Sequence, residues 1–433
     1  MNKDNHNITP DNNYTNSNIQ ENPLNNNQNK DMNINNQNNN INTNELNYKN
    51  IILTPLNNPN LNSNQINYGV NNNIINNIPY QNQIIIQYFF PLVGLYNLGS
   101  TCFMNATLQC LIHIQELSLY ILNEYPNDKN VLNTRNISSE TKGELSQSYY
   151  DLIYNVSIIS NNNIRNKSFN PERFNKILGK YNSQFSKNEA NDSKDLILYL
   201  LQTLHEELNY NGAQKVPSNL ILPDSRFREY TYNYFTLSYT STNFSKISQL
   251  FYGTYENVTT CLECKTNYYS YQKFEFLSFS TYYYRKKKFN IMNGFKDIET
   301  VQKLSGDNQY YCNRCNKLVD AEAITKILEA SNKLLINIDY GKNKINAVSQ
   351  LIFEPEIDIK DYLCLYNGQK TKYKLCSICT HIGKSGSSGH YIAYCLNKNN
   401  NTWYEFNDSF CYEIKDMDDL KENSPYLLIY ELI

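Results

Sequence analysis

The composition of this chain changes abruptly, and that break confines any folded core to the part that follows it. From Met1 to about Gln83 asparagine dominates, with scattered Ile, Leu and Gln and no sustained hydrophobic period. Such a tract cannot bury enough apolar surface to offset the entropy of ordering it, so residues 1–90 are expected to form a disordered tail. From about Tyr88 onward Tyr, Phe, Leu and Ile recur at helix and strand spacings, and that stretch is ample for one large core.

Charge narrows the partners. The 39 basic and 41 acidic residues leave a net charge of −2, so no chain-wide field favours nucleic acid or an anionic membrane, and neither is expected as a partner. The longest apolar run, Ile84 to Leu95, is interrupted by Gln87 and broken by Pro91, which makes it too short to span a bilayer. The first residues lack a charged-then-apolar leader pattern. Eleven cysteines in that setting read as reduced thiols, metal ligands or a nucleophile rather than a disulfide frame, so the expected location is cytoplasmic or nuclear.

The segment from Gly94 through Asn97, Gly99, Ser100 and Thr101 suits a turn, and a helical pattern begins at Cys102. Leu108, Leu111, Ile112 and Leu119 fall on one face of that expected helix. With Ser100 or Thr101 as N-cap, Cys102 occupies the first turn, where unpaired amides and the positive dipole end favour a thiolate. The Cys102 backbone N–H and the Asn97 side-chain amide could converge on an oxyanion beside the sulfur. A buried structural cysteine that happens to start a helix is the competing reading, and Cys110, deeper in the helix, reads as core.

Of the five histidines, His6 lies in the tail, and His113 and His205 fall within expected helices as packing or surface residues. His381 and His390 remain. A Gly/Ser-rich loop, Gly383 to Gly389, delivers His390 to a strand over Tyr391–Cys395, and a second strand follows over Thr402–Phe406. A hairpin centred between Lys398 and Asn399 sets Cys395 opposite Thr402, Ala393 opposite Tyr404 and His390 opposite Asn407. Asn407 would then accept from the imidazole Nδ1–H and leave Nε2 for the thiol, while Asp408 would point to the other face. A purely structural hairpin fits the same spacing.

These residues resemble the ubiquitin-specific protease family of papain-like cysteine proteases. Gly94 to Leu111 resembles the family's cysteine box, and Gly389-His390-Tyr391 through Trp403-Tyr404-Glu405-Phe406-Asn407-Asp408-Ser409 its histidine box. The resemblance covers about Pro91 to the C-terminus and implies Cys102 as nucleophile, His390 as base, Asn407 as third member, Asp408 as supplementary acceptor and Asn97 as oxyanion donor. Asn191 to Glu207 resembles the family's acidic segment that meets the basic tail of ubiquitin. The resemblance therefore implies Asp192, Asp195, Tyr391 and Gly389 as substrate-binding residues, with Gly386 and Gly389 letting a loop close over the tail. Asp192 and Asp195 also form a capping-box-like pair ahead of a helix from Leu196 to Leu208, a role that needs no substrate. Ala190 and Asn191 stand where the family has glutamines and Asp195 where it has glutamate. Ile336 to Tyr340 lacks the family's basic pair, so contacts there are not carried over.

Cys261-x-x-Cys264 and Cys312-x-x-Cys315 form two knuckles whose four thiolates would make a closed tetrahedral site, suited to structural zinc and not to catalysis. Their wide separation leaves free thiols open, and the resemblance assigns them one zinc ion in the family's finger region. Cys376 and Cys379, three apart in an expected strand over Tyr373–His381, should face opposite sides and not chelate, with His381 structural. Arg285 to Lys288 reads as a solvated loop between finger strands.

The resemblance implies an α+β, papain-like architecture for residues 91–433. It comprises a helical thumb over about 91–223, zinc-bearing β fingers over about 224–329 and a mostly antiparallel palm. It implies a monomeric deubiquitinating hydrolase acting on ubiquitin and ubiquitinated proteins through a thioester, without a catalytic cofactor. The alternative is a catalytically silent ubiquitin-binding protein of the same fold.

Overall fold

The computed structural model describes residues 90–161, 167–186, 189–341, 350–365, 368–385, 388–415, 420 and 425–433. The expected tail over residues 1–89 lies outside them, as does Gly386. A short strand β1 (Gly94–Leu95) pairs in parallel with β2 (Ser168–Phe169). Around that tie lie six helices: α1 (Cys102–Ile112), α2 (Gln115–Asn123), α3 (Tyr125–Arg135), α4 (Glu144–Asn161), α5 (Glu172–Tyr181) and α6 (Ser193–Glu207). Two more, α7 (Arg228–Thr242) and α8 (Lys246–Phe251), precede the first long strand. Asp192 caps α6 by accepting from Lys194 N–H at 2.8 Å, and Ser245 with Ser248 forms a reciprocal capping box on α8.

The chain then becomes β-rich. β3 (Gly253–Cys261), β4 (Asn267–Phe274), β5 (Leu277–Ser280) and β6 (Lys288–Asn290) lead to α9 (Ile291–Ile298). β7 (Gln302–Leu304), β8 (Tyr310–Cys312), β9 (Lys317–Val319), β10 (Ala321–Glu329) and β11 (Lys333–Asp339) follow. β12 (Gln350–Ile352), β13 (Glu356–Asp358), β14 (Lys372–Ser385), β15 (Ser388–Asn397), β16 (Thr402–Asn407), β17 (Phe410–Ile414) and β18 (Pro425–Leu432) complete it. Four strands in the order β4-β3-β10-β7 make an antiparallel projecting sheet, with β8 and β9 a separate hairpin. The main sheet runs β17-β16-β15-β14-β18-β11-β5, antiparallel except where β11 meets β5, with β13 added to β14.

Alternation along the main strands splits the core in two. Ala393, Cys395, Tyr404, Phe406 and Ile429 pack toward α1 and the other early helices, whereas Ile392, Tyr394, Trp403, Leu428 and Tyr430 pack on the opposite face, with Phe295 of α9. α1 is therefore enclosed. All eleven of its residues are buried, so burial extends beyond the one apolar face expected; it ends at Ile112, and Leu119 belongs to α2. Two buried polar donors of α1 find partners, Thr107 Oγ1 donating to Phe103 O and Gln109 Nε2 to Val93 O, while the Asn105 and Gln109 amide oxygens have none among the described residues. Lys333, 2% exposed, ties α2 to the sheet by pairing with Glu116 at 2.9 Å and Glu431 at 2.7 Å.

Several expectations change. The described residues of the Gly/Ser segment are strand, since β14 runs to Ser385 and β15 starts at Ser388. The β15–β16 hairpin pairs Ala393 with Phe406, Cys395 with Tyr404 and Asn397 with Thr402, two residues away from the expected register. The strands continue further than the expected turn allowed, and the connecting loop closes over Lys398–Asn401 with Asn401 in the left-handed region. Cys376 occupies a bulge between Leu375 and Ser377, which brings Cys376 and Cys379 to the same core face instead of opposite ones. They donate separately, to Ile429 O and Ser193 Oγ. The Arg285–Lys288 run joins β5 to β6, neither of which belongs to the projecting sheet. The first strand of that sheet starts at Gly253, and α7 is tied to β3 by the Arg228–Glu256 ion pair and to β4 by Tyr271, whose O–H donates to Arg228 O at 3.1 Å.

Candidate active site

The turn before α1 is organised by one side chain. Asn97 Oδ1 accepts from Gly99 N–H at 3.0 Å and Thr101 N–H at 3.1 Å, while Gly99 and Ser100 both take positive φ. Thr101 is the N-cap but does not cap with its side chain; its hydroxyl instead accepts from Leu98 N–H at 2.8 Å. Cys102 is thus the first helical residue, 5% exposed, at the end where backbone amides lack carbonyl partners.

β15 brings His390 to this sulfur. The Cys102 side chain pushes the imidazole up to about 9; burial opposes the shift, and the Asn407 bond and Asp408 carboxylate reinforce it. Asn407 Oδ1 lies 2.8 Å from His390 Nε2. The expected nitrogen roles are therefore exchanged: Asn407 accepts from Nε2–H, and Nδ1 is left to serve the thiol. Asn407 is also not directly opposite His390, and the contact is diagonal across the hairpin. A slip of two residues preserves the face of every side chain, which is why the interaction survives the wrong register.

Asp408 was expected on the other face, but it is a turn residue with φ of 49° and not a strand residue. Its carboxylate comes within 3.9 Å of His390 Nε2 and accepts from Asn97 Nδ2 at 2.9 Å. The Asn97 amide, expected to serve an oxyanion, thus gives one hydrogen to Asp408, and an amide carries two. The other Asp408 oxygen accepts from Asn105 Nδ2 at 2.8 Å. The sequence reading missed Asn105. Its signal was a polar residue one helical turn after Cys102, and it is 2% exposed.

The substrate-binding candidates separate into two groups. Asp192 accepts from Lys194 N–H and, at 2.5 Å, from Tyr426 O–H, whereas Asp195 is more open, with Gln184 Nε2 at 3.4 Å. Tyr391, expected on the substrate side, is 6% exposed and packs against His381 and Tyr426. Burial pushes its phenol up. A Cβ on Gly389 would lie 2.4 Å from His381 Nε2 and 2.6 Å from Ile382 O, so the residue is glycine because the backbone passes too close to both. His113 bridges Gln109 O and Pro91 O and is pushed down to about 4 by burial; His205 bonds Ser245 Oγ. Both are structural.

The two knuckles meet at the tip of the projecting sheet. Sγ atoms of Cys261, Cys264, Cys312 and Cys315 all lie within 4.8 Å of one another, with Cys261–Cys315 at 3.9 Å and Cys264–Cys312 at 3.6 Å. Tetrahedral zinc with Zn–S bonds of about 2.3 Å requires sulfur separations of about 3.8 Å, so the donor set fits that ion. Cys264 N–H and Cys315 N–H each point at the first sulfur of their own knuckle at 3.4 Å, and Lys265 and Asn316 take the positive φ that turns the chain. Tyr268 O–H adds a contact to Cys312 Sγ at 3.1 Å.

A family model described as ubiquitin carboxyl-terminal hydrolase matches residues 93–430. Ubiquitin carboxyl-terminal hydrolase 5 of Saccharomyces cerevisiae is 29% identical over 79% of this chain and 45% of its own length. Ubiquitin carboxyl-terminal hydrolase 2 of Rattus norvegicus is 26% identical over 79% of this chain and 54% of its own. The chain spans about half the length of these relatives. A solved SAGA Ubp8/Sgf11/Sus1/Sgf73 DUB module bound to ubiquitin aldehyde shares the fold, with a TM-score of 0.57 and 19% identity over 79% of this chain and 70% of that one. The match across both boxes and the strands between them means that this chain belongs to the ubiquitin carboxyl-terminal hydrolase family.

Proposed function

We propose that residues 91–433 form a thiol-dependent deubiquitinating hydrolase, with helical thumb, β fingers and palm, that cuts peptide or isopeptide bonds after the C-terminal glycine of ubiquitin. The observation that carries this reading is Cys102 at a helix N-terminus beside an imidazole that Asn407 orients and the sulfur raises to about 9. An imidazole raised in this way is protonated at neutral pH, so it pairs with the adjacent sulfur as negative charge develops there and can later protonate the leaving amine.

The Cys102 thiolate would attack the glycine carbonyl and form a C–S bond as the carbonyl electrons move to oxygen. The Cys102 N–H and the second Asn97 amide hydrogen would be the donors to that oxygen. His390 would protonate the departing lysine amine, leaving a thioester and neutral imidazole. His390 then takes a proton from water as hydroxide attacks the thioester, releasing the carboxyl terminus and restoring the pair. Asp195, with its open carboxylate, and the Asp192 end of α6 suit the basic tail of ubiquitin; Tyr391 and Gly389 shape the wall behind it.

We further propose that Cys261, Cys264, Cys312 and Cys315 hold one structural zinc, which when bound cross-links the β3–β4 turn to the β8–β9 hairpin. Incubation with ubiquitin bearing a C-terminal electrophile tests the central claim. An adduct on Cys102 that disappears in Cys102→Ala is expected. Retained ubiquitin binding without an adduct would favour a catalytically silent binder.

A further inference from the structure

Two exposed aromatic rings stand next to the catalytic turn on its outer side. Asn407 and Phe410 are directly opposed across the two-residue turn Asp408–Ser409, and Glu405 and Tyr412 are the next opposed positions with side chains on that face. Phe410 and Tyr412 are 57% and 51% exposed, and their rings stack with centroids 6.1 Å apart and planes 13° off parallel. Glu405 accepts from Asn407 Nδ2 at 3.5 Å, so a carboxylate sits within the same row. The row is therefore continuous with the His390–Asn407 contact.

Sheet order places this row across β15 from the strands that α6 touches. The N-terminus of α6 touches β18 through Asp192–Tyr426 and β14 through Ser193–Cys379, on one side of β15; β16 and β17 lie on the other. If the ubiquitin tail approaches along α6, the reading on which this step rests, then the group beyond the scissile bond leaves toward β17. That group is a lysine on another polypeptide. Stacked aromatic faces beside a carboxylate suit methylene stems, apolar side chains and cations.

We propose that Phe410 and Tyr412, with Glu405, form the docking surface for the lysine-bearing product, selecting modified lysines flanked by basic and apolar residues. Ubiquitin would be joined by an isopeptide bond to a short peptide whose lysine is flanked by Arg and Leu, to the same lysine flanked by Gly and Ser, and to aminocoumarin, which carries no flanks. The Phe410→Ala, Tyr412→Ala double variant should lower kcat/KM about tenfold for the Arg/Leu peptide and leave aminocoumarin release unchanged. Equal losses on all three substrates would mean that the rings only brace Asn407, and no loss on any would mean that they touch nothing; either overturns the proposal. Concentration-dependent dimers that vanish in the double variant, without any change in peptide preference, would assign the face to a second copy and overturn it too. Wild-type protein that leaves all three substrates uncut would instead overturn the hydrolase reading, and this proposal with it.

Discussion

His390 is the residue on which proton inventory turns. Its imidazole is raised to about 9 in the folded protein, chiefly by the Cys102 side chain. A raised folded value stabilises the fold fully below the ordinary histidine range, and that contribution is lost as pH rises through about 9. The ring resonances in an NMR titration should accordingly move with a midpoint near 9, and Asp408→Asn should lower that midpoint; a midpoint near 6.5 in the native protein would remove the ion-pair reading. In the proposed mechanism Asn407 acts through orientation, since an amide carries no charge to stabilise imidazolium. Asn407→Asp should keep most activity while Asn407→Ala loses at least about tenfold in kcat/KM, and equal rates in the two variants would exclude an orienting role.

Among the elements, the β14–β15 hairpin sets the catalytic geometry through one close approach. Gly389 passes His381 and Ile382 with no room for a Cβ. Gly389→Ala should destabilise the protein by about 1–3 kcal/mol in denaturant unfolding and reduce turnover as well, because His390 is the next residue. A variant with wild-type stability and turnover would show that the strand can move aside freely. α6 was readable at its start because Asp192 is a cap residue before an apolar period, and it begins there; the Tyr426 bond to the same carboxylate was not, since β18 comes from the far end of the chain. The β15–β16 register was read two residues off because loop length alone does not fix where pairing stops. The bulge at Cys376 was invisible because an extra strand residue leaves no mark in alternation until its neighbours are known.

For the whole molecule, stability is divided between a buried two-faced sheet and a tip with little core of its own. Apart from its cysteines, the tip core holds only Tyr268 and Val319 as buried residues, with Tyr310 partly buried against them. Zinc removal by a strong chelator should therefore melt the β8–β9 hairpin and weaken ubiquitin binding while Cys102 still reacts with a small thiol reagent; an unchanged melting curve after chelation would contradict the zinc assignment. The sequence by itself determined the two boxes, the turn residues ahead of Cys102 and the two cysteine knuckles, because caps, turn residues and apolar periods act over a few neighbouring positions. Only the tertiary structure decided that Nε2 and not Nδ1 meets Asn407, that Asp408 is gripped by Asn97 and Asn105, and that Tyr391 is buried. The Asp408 contacts join segments 311 and 303 positions apart, and the other two outcomes depend on how neighbouring strands pair and end, which no local period encodes.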